Sequence, residues 1–172
     1  MNAGLSLPNC RVWRLGADVD TDVLAPGAYM KHGMDIIAIH CLESLRPEFA
    51  SQVKPGDVVV AGPNFGIGSS REQAAGALVH LGVSAVIAPS FGGLFFRNAF
   101  NLGLLLLTCA DAQQISEGES LQWEVSSQAG EIIRADGTRL QAAPIPDFLM
   151  DMVRAGGLLP LLKQRSSRGH HA

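Results

Sequence analysis

The sequence is poor in aromatic residues, in charge and in cysteine. Aromatic residues make up 6 % and charged residues 17 % of the chain, against 47 % apolar residues, so we expect a compact fold with an aliphatic core. The three cysteines, Cys10, Cys41 and Cys109, are odd in number and far apart. Their spacing is not that of a zinc, redox or iron-sulfur site, which favours buried free thiols.

The charge is nearly balanced, and long apolar runs are missing. Thirteen Lys and Arg against sixteen Asp and Glu give a net charge of -3, and no basic stripe is interleaved with aromatic residues, so nucleic-acid binding is not expected. Residues 1–7 lack the charged start and apolar centre of a leader, and no apolar run approaches the ~20 residues of a membrane span. We therefore expect no membrane association and a cytoplasmic protein.

The length of 172 residues suits one domain. We expect this domain to occupy residues 1–163, and a flexible tail to occupy residues 164–172, with a solvated histidine pair at 170–171.

Short apolar segments alternate with helical patterns in the middle of the chain. We predict strands at 11–15, 58–61, 83–88 and 104–107 and helices at 35–42, 70–81, 91–102 and 146–155. Residues 46–49 are predicted to be a linker. The polar alternation around 121–125 and 131–133 predicts antiparallel strands. The expected fold class is therefore α/β, with a mainly parallel sheet and additional antiparallel strands.

A glycine-rich turn, residues 64–72, follows the predicted strand 58–61 and reads Asn-Phe-Gly-Ile-Gly-Ser-Ser-Arg-Glu. Ligands of parallel sheets bind at the carboxyl ends of strands. Free amides, a helix start and a bidentate grip by Arg71 would suit a carboxylate ligand. The spacing of Ser69 and Glu72 is equally that of a helix capping box, in which both residues only satisfy backbone donors.

Other glycine-rich loops do not match this turn. The third glycine of the dinucleotide fingerprint is replaced by Arg71, and neither Gly-Lys-Ser/Thr nor Gly-x-Ser-x-Gly occurs.

An acidic loop holds Asp18, Asp20 and Asp22, which are either turn and cap residues or a metal or substrate site. A calcium loop would need more ligands, and His32 and His40 have no partner at metal-ligand spacing.

Taken together, these motifs resemble those of the small subunits of 3-isopropylmalate dehydratase, which correspond to the mobile fourth domain of aconitase. The resemblance rests on Asp-Thr-Asp-Val-Leu-Ala-Pro at 20–26 and on the turn at 64–72. Phe91, Arg97-Asn98 and the Arg-Ala-Gly-Gly of 154–157 follow in the family's order. It implies a three-layer β/β/α swivelling domain.

The resemblance also implies roles for individual residues. Ser69 would be the base that removes a proton beside a carboxylate, and Asp22 a supporting catalytic carboxylate. Substrate would be held by Arg71, Ser70 and the turn amides at Gly68. Lys31, in a loop that senses substrate in this family, is either a further carboxylate partner or a solvated lysine.

The family's reaction needs a [4Fe-4S] cluster that acts as a Lewis acid on the departing hydroxyl. The scattered cysteines of this chain cannot hold one, so the resemblance implies a separate large iron-sulfur subunit as partner. No metal is expected on this chain.

The expected activity is that of a hydro-lyase which isomerises a 2-hydroxy polycarboxylate, with isopropylmalate of leucine biosynthesis as the best single substrate. Homoaconitate, citramalate and dimethylmalate stay open, as does a non-catalytic carboxylate-binding module. The sequence departs from the family at Gln73, where His is usual, at Pro89, where a basic residue is common, and at Gly92-Gly93, which replaces a charged position. These departures bear on the choice of substrate.

Overall fold

The computed structural model describes residues 10–169. Seven strands are present: β1 Cys10–Arg14, β2 Val58–Val60, β3 Ala85–Ala88, β4 Leu105–Thr108, β5 Ser120–Val125, β6 Gly130–Arg134 and β7 Arg139–Ala142. The described helices are α1 Thr21–Leu24, α2 Met34–Ile39, α3 Phe49–Gln52, α4 Gln73–His80, α5 Gly93–Asn101, α6 Asp147–Ala155 and α7 Leu158–Gly169. Short 3₁₀ turns lie at Gly27–Tyr29 and Ala112–Gln114.

The strands form one mixed sheet in the order β4-β3-β2-β1-β5-β6-β7. Strands β1 to β4 are parallel to one another, while β5, β6 and β7 are joined to β1 and to each other by antiparallel pairing. Because β6 is antiparallel to β5, it runs in the direction of β1, so the sheet is mostly parallel in direction. The α/β prediction is confirmed.

Burial explains why the two halves of the sheet read differently in the sequence. Every residue of β2 and β3 is buried, as expected for parallel strands covered by helices on both faces. Strand β5 alternates exposed and buried residues along its length, so one of its faces meets water. The all-apolar and alternating patterns therefore predict the parallel and antiparallel halves correctly.

The core is mainly aliphatic, with a few large rings at fixed places. Trp13 of β1 packs edge-on against Phe49, with ring centroids 5.1 Å apart. Its indole Nε1 donates to Asp57 Oδ2 at 2.9 Å, which satisfies a polar atom inside the core.

Several predicted boundaries shift in the structure. Helix α4 begins at Gln73, not at residue 70, and α3 begins at Phe49 within a region expected to be a linker. Helix α7 continues to Gly169, where the sequence predicts a frayed tail from residue 163. Exposed polar residues weaken the apolar periodicity there, although nothing in them stops a helix. The expected flexibility of 164–172 stays a prediction. The histidine pair at 170–171 lies outside the described residues. Residues 1–7, for which the sequence predicts no leader, also lie outside them. Among residues 10–169, no helix has the length and apolar character needed to cross a membrane.

Candidate functional site

The glycine-rich turn lies at the carboxyl ends of three neighbouring parallel strands. On one side it pairs with the segment after β1: Gly66 N donates to Val19 O at 2.7 Å, and Thr21 N donates to Ile67 O at 2.8 Å. On the other side it pairs with the segment after β3, through a parallel bridge between Phe65 and Phe91. The three strand ends therefore hold the turn in place.

Two glycines are required for this path of the turn. Gly66 has φ +78°, and a Cβ there would lie 2.2 Å from the Phe95 ring. Gly68 has φ +106°, and its Cβ would lie 2.7 Å from Asp20 Oδ2. Positive φ and close approach both exclude a side chain at these positions.

Ser69 presents an exposed hydroxyl next to two partners. Arg71 Nε donates to Ser69 Oγ at 2.7 Å. Thr21 Oγ1 lies 3.3 Å from the same oxygen and accepts the Ser69 amide at 3.0 Å. The side chain is thus oriented by fixed groups while its residue is open to solvent.

The capping-box alternative is wrong. Helix α4 begins at Gln73, and its N-cap, Glu72, makes no side-chain capping hydrogen bond. The Ser69 hydroxyl contacts Thr21 and Arg71 instead. Because Ser69 precedes Gln73, the first residue of α4, by more than a helical turn, it is a residue of the loop and not of the helix start.

Arg71 uses most of its donors inside the protein. Its Nη1 donates to Asp22 Oδ1 at 2.9 Å and to Ala25 O at 2.8 Å, while Nε is used by Ser69. Within residues 10–169, Nη2 donates to no protein atom. A ligand carboxylate therefore meets Nη2 alone, and its second oxygen needs another donor, unlike the bidentate grip expected from the sequence.

Asp22 positions Arg71 and does not hydrogen-bond to Ser69. Its Oδ1 accepts from Arg71 and from Gly27 N at 3.0 Å. Its own amide donates to Asp20 Oδ1 at 2.6 Å, so Asp20 caps α1. The acidic loop thus provides a helix cap, as its turn-and-cap interpretation predicts. It also provides a partner for Arg71, which that interpretation does not predict.

Two residues of the site were not among the expected site residues. Asn98 of α5 is 8 % exposed, and its Nδ2 donates to Ser70 O at 2.9 Å, which holds the backbone beside the exposed Ser70 hydroxyl. Thr21 is the other. Both belong to motifs that carry the family resemblance, so the sequence marks these positions. It does not predict which residues they contact.

Comparison with known proteins decides the family. The family model for the aconitase C-terminal domain matches residues 45–112. The chain is 45 % identical to 3-isopropylmalate dehydratase small subunit 1 of Archaeoglobus fulgidus over 160 residues, which are 92 % of this chain and 98 % of that protein. The small subunit of Halothermothrix orenii is 44 % identical over 89 % of this chain and 93 % of its own. The chain belongs to the 3-isopropylmalate dehydratase small-subunit family.

The fold agrees with this family. The crystal structure of 3-isopropylmalate dehydratase (leuD) from Methanocaldococcus jannaschii superposes with a TM-score of 0.87 at 34 % identity, covering 97 % of this chain and 99 % of that one.

In this small-subunit family member, the loop that carries Lys31 begins beside the site. Gly27 at its start contacts Asp22, and Tyr29 stacks on His40 with ring centroids 3.6 Å apart. His40 Nδ1 lies 2.6 Å from Glu43 Oε2. Lys31 is exposed and forms no ion pair within the described part of the chain, so the structure does not join it to Ser69.

Gly92, one of the two adjacent glycines that depart from the family pattern, lies close to the glycine-rich turn. Gly92 N donates to Phe65 O at 2.8 Å, and a Cβ at Gly92 would lie 2.5 Å from Gly66 O. The close approach of the two backbones therefore requires glycine at this position. Gly93 has open space around it, and Gln73 is the first residue of α4.

The cysteines of this family member do not fit a metal cluster. All three are buried free thiols, as predicted, and they lie on β1, after α2 and after β4. Burial raises the pKa of the Cys10, Cys41 and Cys109 thiols, which opposes the thiolate form that binds metals. Among residues 10–169, no three His, Cys, Asp or Glu side chains are grouped to hold a metal.

Proposed function

We propose that this chain is the small subunit of a 3-isopropylmalate dehydratase and that, with a large iron-sulfur subunit, it interconverts 3-isopropylmalate and 2-isopropylmalate in leucine biosynthesis. Family membership supports the reaction class. The single observation that carries the proposal is the exposed Ser69 hydroxyl, held by Arg71 Nε at 2.7 Å at the carboxyl edge of the parallel strands.

In this proposal Ser69 handles the proton. The ionised Ser69 oxygen takes a proton from the carbon beside a carboxylate, and the electron pair of the C–H bond becomes the new C=C bond. The hydroxyl group of the neighbouring carbon leaves with the electron pair of its C–O bond, and the Lewis acid of the partner subunit would accept it. Rehydration takes place with the two carbons exchanged: a hydroxyl group bonds to the carbon that lost the proton, and Ser69 returns the proton to the carbon that lost the hydroxyl. The positive Arg71 side chain beside the oxygen favours its ionised form.

In this proposal, hydrogen-bond donors that are not paired within the protein bind a carboxylate of the substrate. Within residues 10–169, Arg71 Nη2, the Ser70 hydroxyl and the Gly68 amide donate no hydrogen bond to the protein, and Gly68 and Ser70 are exposed. A carboxylate bound by these groups has each oxygen paired with a separate donor. Lys31, unpaired within the described residues, is proposed to bind the second carboxylate of the substrate.

The iron-sulfur cluster of the family is assigned to the partner. The buried cysteines of this chain do not suit it, and the names of the relatives as small subunits support a larger companion. This chain accordingly supplies the base and the carboxylate donors. The cytoplasmic location expected from the sequence stays a prediction.

The proposal is tested by anaerobic co-expression with the large subunit encoded in the same genome. The purified complex is assayed with 3-isopropylmalate and, in separate reactions, with the alternative substrates homoaconitate, citramalate and dimethylmalate. The unsaturated intermediate is followed by its ultraviolet absorbance and the isomer by chromatography. We expect the highest kcat/KM with isopropylmalate.

The Ser69→Ala complex is the decisive variant. We expect it to assemble normally and to lose turnover by about 10³-fold or more, because the proton acceptor is gone. Ser51→Ala, which removes an exposed hydroxyl of α3, is the matched control and should turn over like the wild type. Near-full turnover of an assembled Ser69→Ala complex would show that Ser69 is not the base.

A further inference from the structure

We infer that Thr21 is a positioning residue for Ser69 and supplies the second hydrogen bond that stabilises its ionised oxygen. The inference rests on the proposed role of Ser69 as the base and names the group that completes its surroundings. Thr21 opens α1, in the acidic loop after β1, and is separated from Ser69 by 48 positions in the chain.

The hydrogen bonds of the Thr21 hydroxyl point to this role. Thr21 Oγ1 accepts the Ser69 amide at 3.0 Å, so one of its lone pairs is occupied. Its proton then needs an acceptor, because Thr21 is 1 % exposed and a buried hydroxyl without a partner is costly. Within residues 10–169, the acceptor in reach is Ser69 Oγ at 3.3 Å.

The resulting arrangement surrounds the serine oxygen with two donors. Thr21 belongs to the acidic loop, and Arg71 Nε, two residues after Ser69 in the glycine-rich turn, donates at 2.7 Å. An ionised oxygen accepts both bonds and keeps a further lone pair for the C–H proton of a substrate. A neutral hydroxyl gains less, since hydrogen bonds to an ionised acceptor are the stronger ones.

The backbone fixes Thr21 at this distance. Its amide donates to Ile67 O at 2.8 Å, which ties it to the glycine-rich turn, and its carbonyl accepts from Ala25 N at 2.9 Å. Asp20, the N-cap of α1, holds the residue before it. Thr21 therefore cannot drift from Ser69 unless the turn and the helix separate.

The test compares Thr21→Val and Thr21→Ser in the complete complex with the large subunit. Thr21→Val keeps the shape but removes the hydroxyl, and we expect kcat to fall about 10- to 100-fold with KM changed less than threefold. The limb of the pH profile of kcat/KM that reports ionisation of Ser69 should move to higher pH. Thr21→Ser keeps the donor and should recover kcat to within a few-fold of the wild type.

Thr108→Val is the matched control, because it makes the same change at the end of β4. It should leave kcat and the pH profile unchanged. Thermal melting of all variants, alone and in the complex, checks that each one folds. A folded Thr21→Val complex with wild-type kcat and pH profile would overturn the role of Thr21, and so would a Thr21→Ser complex as slow as Thr21→Val.

The two proposals fail in different ways. If Ser69→Ala retains turnover, Ser69 is not the base and the proposed function loses its central residue. If Ser69→Ala is inactive while Thr21→Val behaves like the wild type, the base stands and only the Thr21 inference falls.

Discussion

At the scale of single residues, the site depends on one glycine whose place no side chain can take. Gly68 combines φ +106° with a Cβ position 2.7 Å from Asp20 Oδ2. Asp20 in turn caps α1 through Asp22 N, so a methyl group at 68 would displace both the turn and the cap. Gly68 thus links the shape of the turn to the loop that holds Thr21 and Asp22.

We predict that Gly68→Ala lowers the free energy of unfolding by about 2–3 kcal/mol and removes most turnover of the complex. Positive φ costs an alanine about 1–2 kcal/mol, and displacement of the Asp20 cap adds about 1 kcal/mol. Urea unfolding of the small subunit measures the first effect, and the isopropylmalate assay the second.

Gly137→Ala is the control for Gly68→Ala. Gly137 also has positive φ, at +85°, but has nothing within 4 Å of its Cβ position. It should show the backbone cost alone, with normal turnover. If Gly68→Ala and Gly137→Ala lower the free energy of unfolding equally, the contact of residue 68 with Asp20 contributes nothing to the stability loss.

Residue roles were predictable only where a short motif carries them. The motif at 64–72 predicts an anion site around Ser69 and Arg71, and the structure brings these two side chains together. The motif does not distinguish a serine that caps a helix from a serine in a loop, because that distinction depends on where α4 begins. Thr21 and Asn98 escaped prediction for a related reason: their partners are distant in sequence.

At the scale of elements, the antiparallel half of the sheet is joined by a half-buried ion pair. Glu119, just before β5, pairs with Arg134 of β6, with Nε 3.0 Å from Oε1, and accepts the Ser116 amide at 2.9 Å. Burial acts to raise the pKa of the Glu119 carboxyl, but the hydrogen bonds from Arg134 and Ser116 outweigh it and hold this pKa below its ordinary range.

The lowered pKa of Glu119 predicts an acid-dependent contribution to stability. Because the unfolded chain takes up this proton first, the contribution is complete above the unfolded pKa of about 4.3 and is lost as pH falls through the folded value. Glu119→Gln should lower the free energy of unfolding at pH 7 and flatten its dependence on pH below about 5. Urea unfolding from pH 3 to 8 measures both effects.

A surface carboxylate of the same hairpins provides the comparison. Glu131 pairs with Arg139 at 2.6 Å, but this arginine is 56 % exposed, so Glu131→Gln should change stability by only a few tenths of a kcal/mol. If Glu119→Gln and Glu131→Gln change the free energy of unfolding equally at every pH, the ion pair of Glu119 and Arg134 stabilises the fold no more than the exposed pair does.

Element types were more predictable than element ends. Strands β2, β3 and β4 stand out as short apolar runs, and β5 as an alternating one, because burial on two faces or on one leaves those patterns. Helix α7 was not predicted, and beyond residue 162 its exposed residues leave no apolar stripe.

At the scale of the whole molecule, the three thiols report on the integrity of the fold. Cys10 lies on the central strand β1, Cys41 follows α2 and Cys109 follows β4, and all are buried. Burial also raises the pKa of each thiol, so the reactive thiolate is scarce at neutral pH.

We predict that iodoacetamide labels none of the three cysteines of the folded small subunit within minutes at pH 7.5 and labels all three in 6 M guanidinium chloride. Labelling in native buffer should follow the rate of opening of the fold. Intact-mass spectrometry counts the labels, and peptide mapping locates them. Rapid native labelling of any one cysteine would show that its surroundings open without the rest of the sheet.

The sequence by itself determined the family, the alternation of strands and helices, and the place of Ser69 and Arg71 together in one glycine-rich turn. These properties depend on local patterns and on motifs a few residues long. The tertiary structure alone decided what each side chain does: Ser69 bonds to Thr21 and Arg71, and Asp22 holds Arg71. The physical reason is the register of the parallel strands, in which Arg14 of β1 lies beside Val60 of β2 and brings together loops that are far apart in the chain.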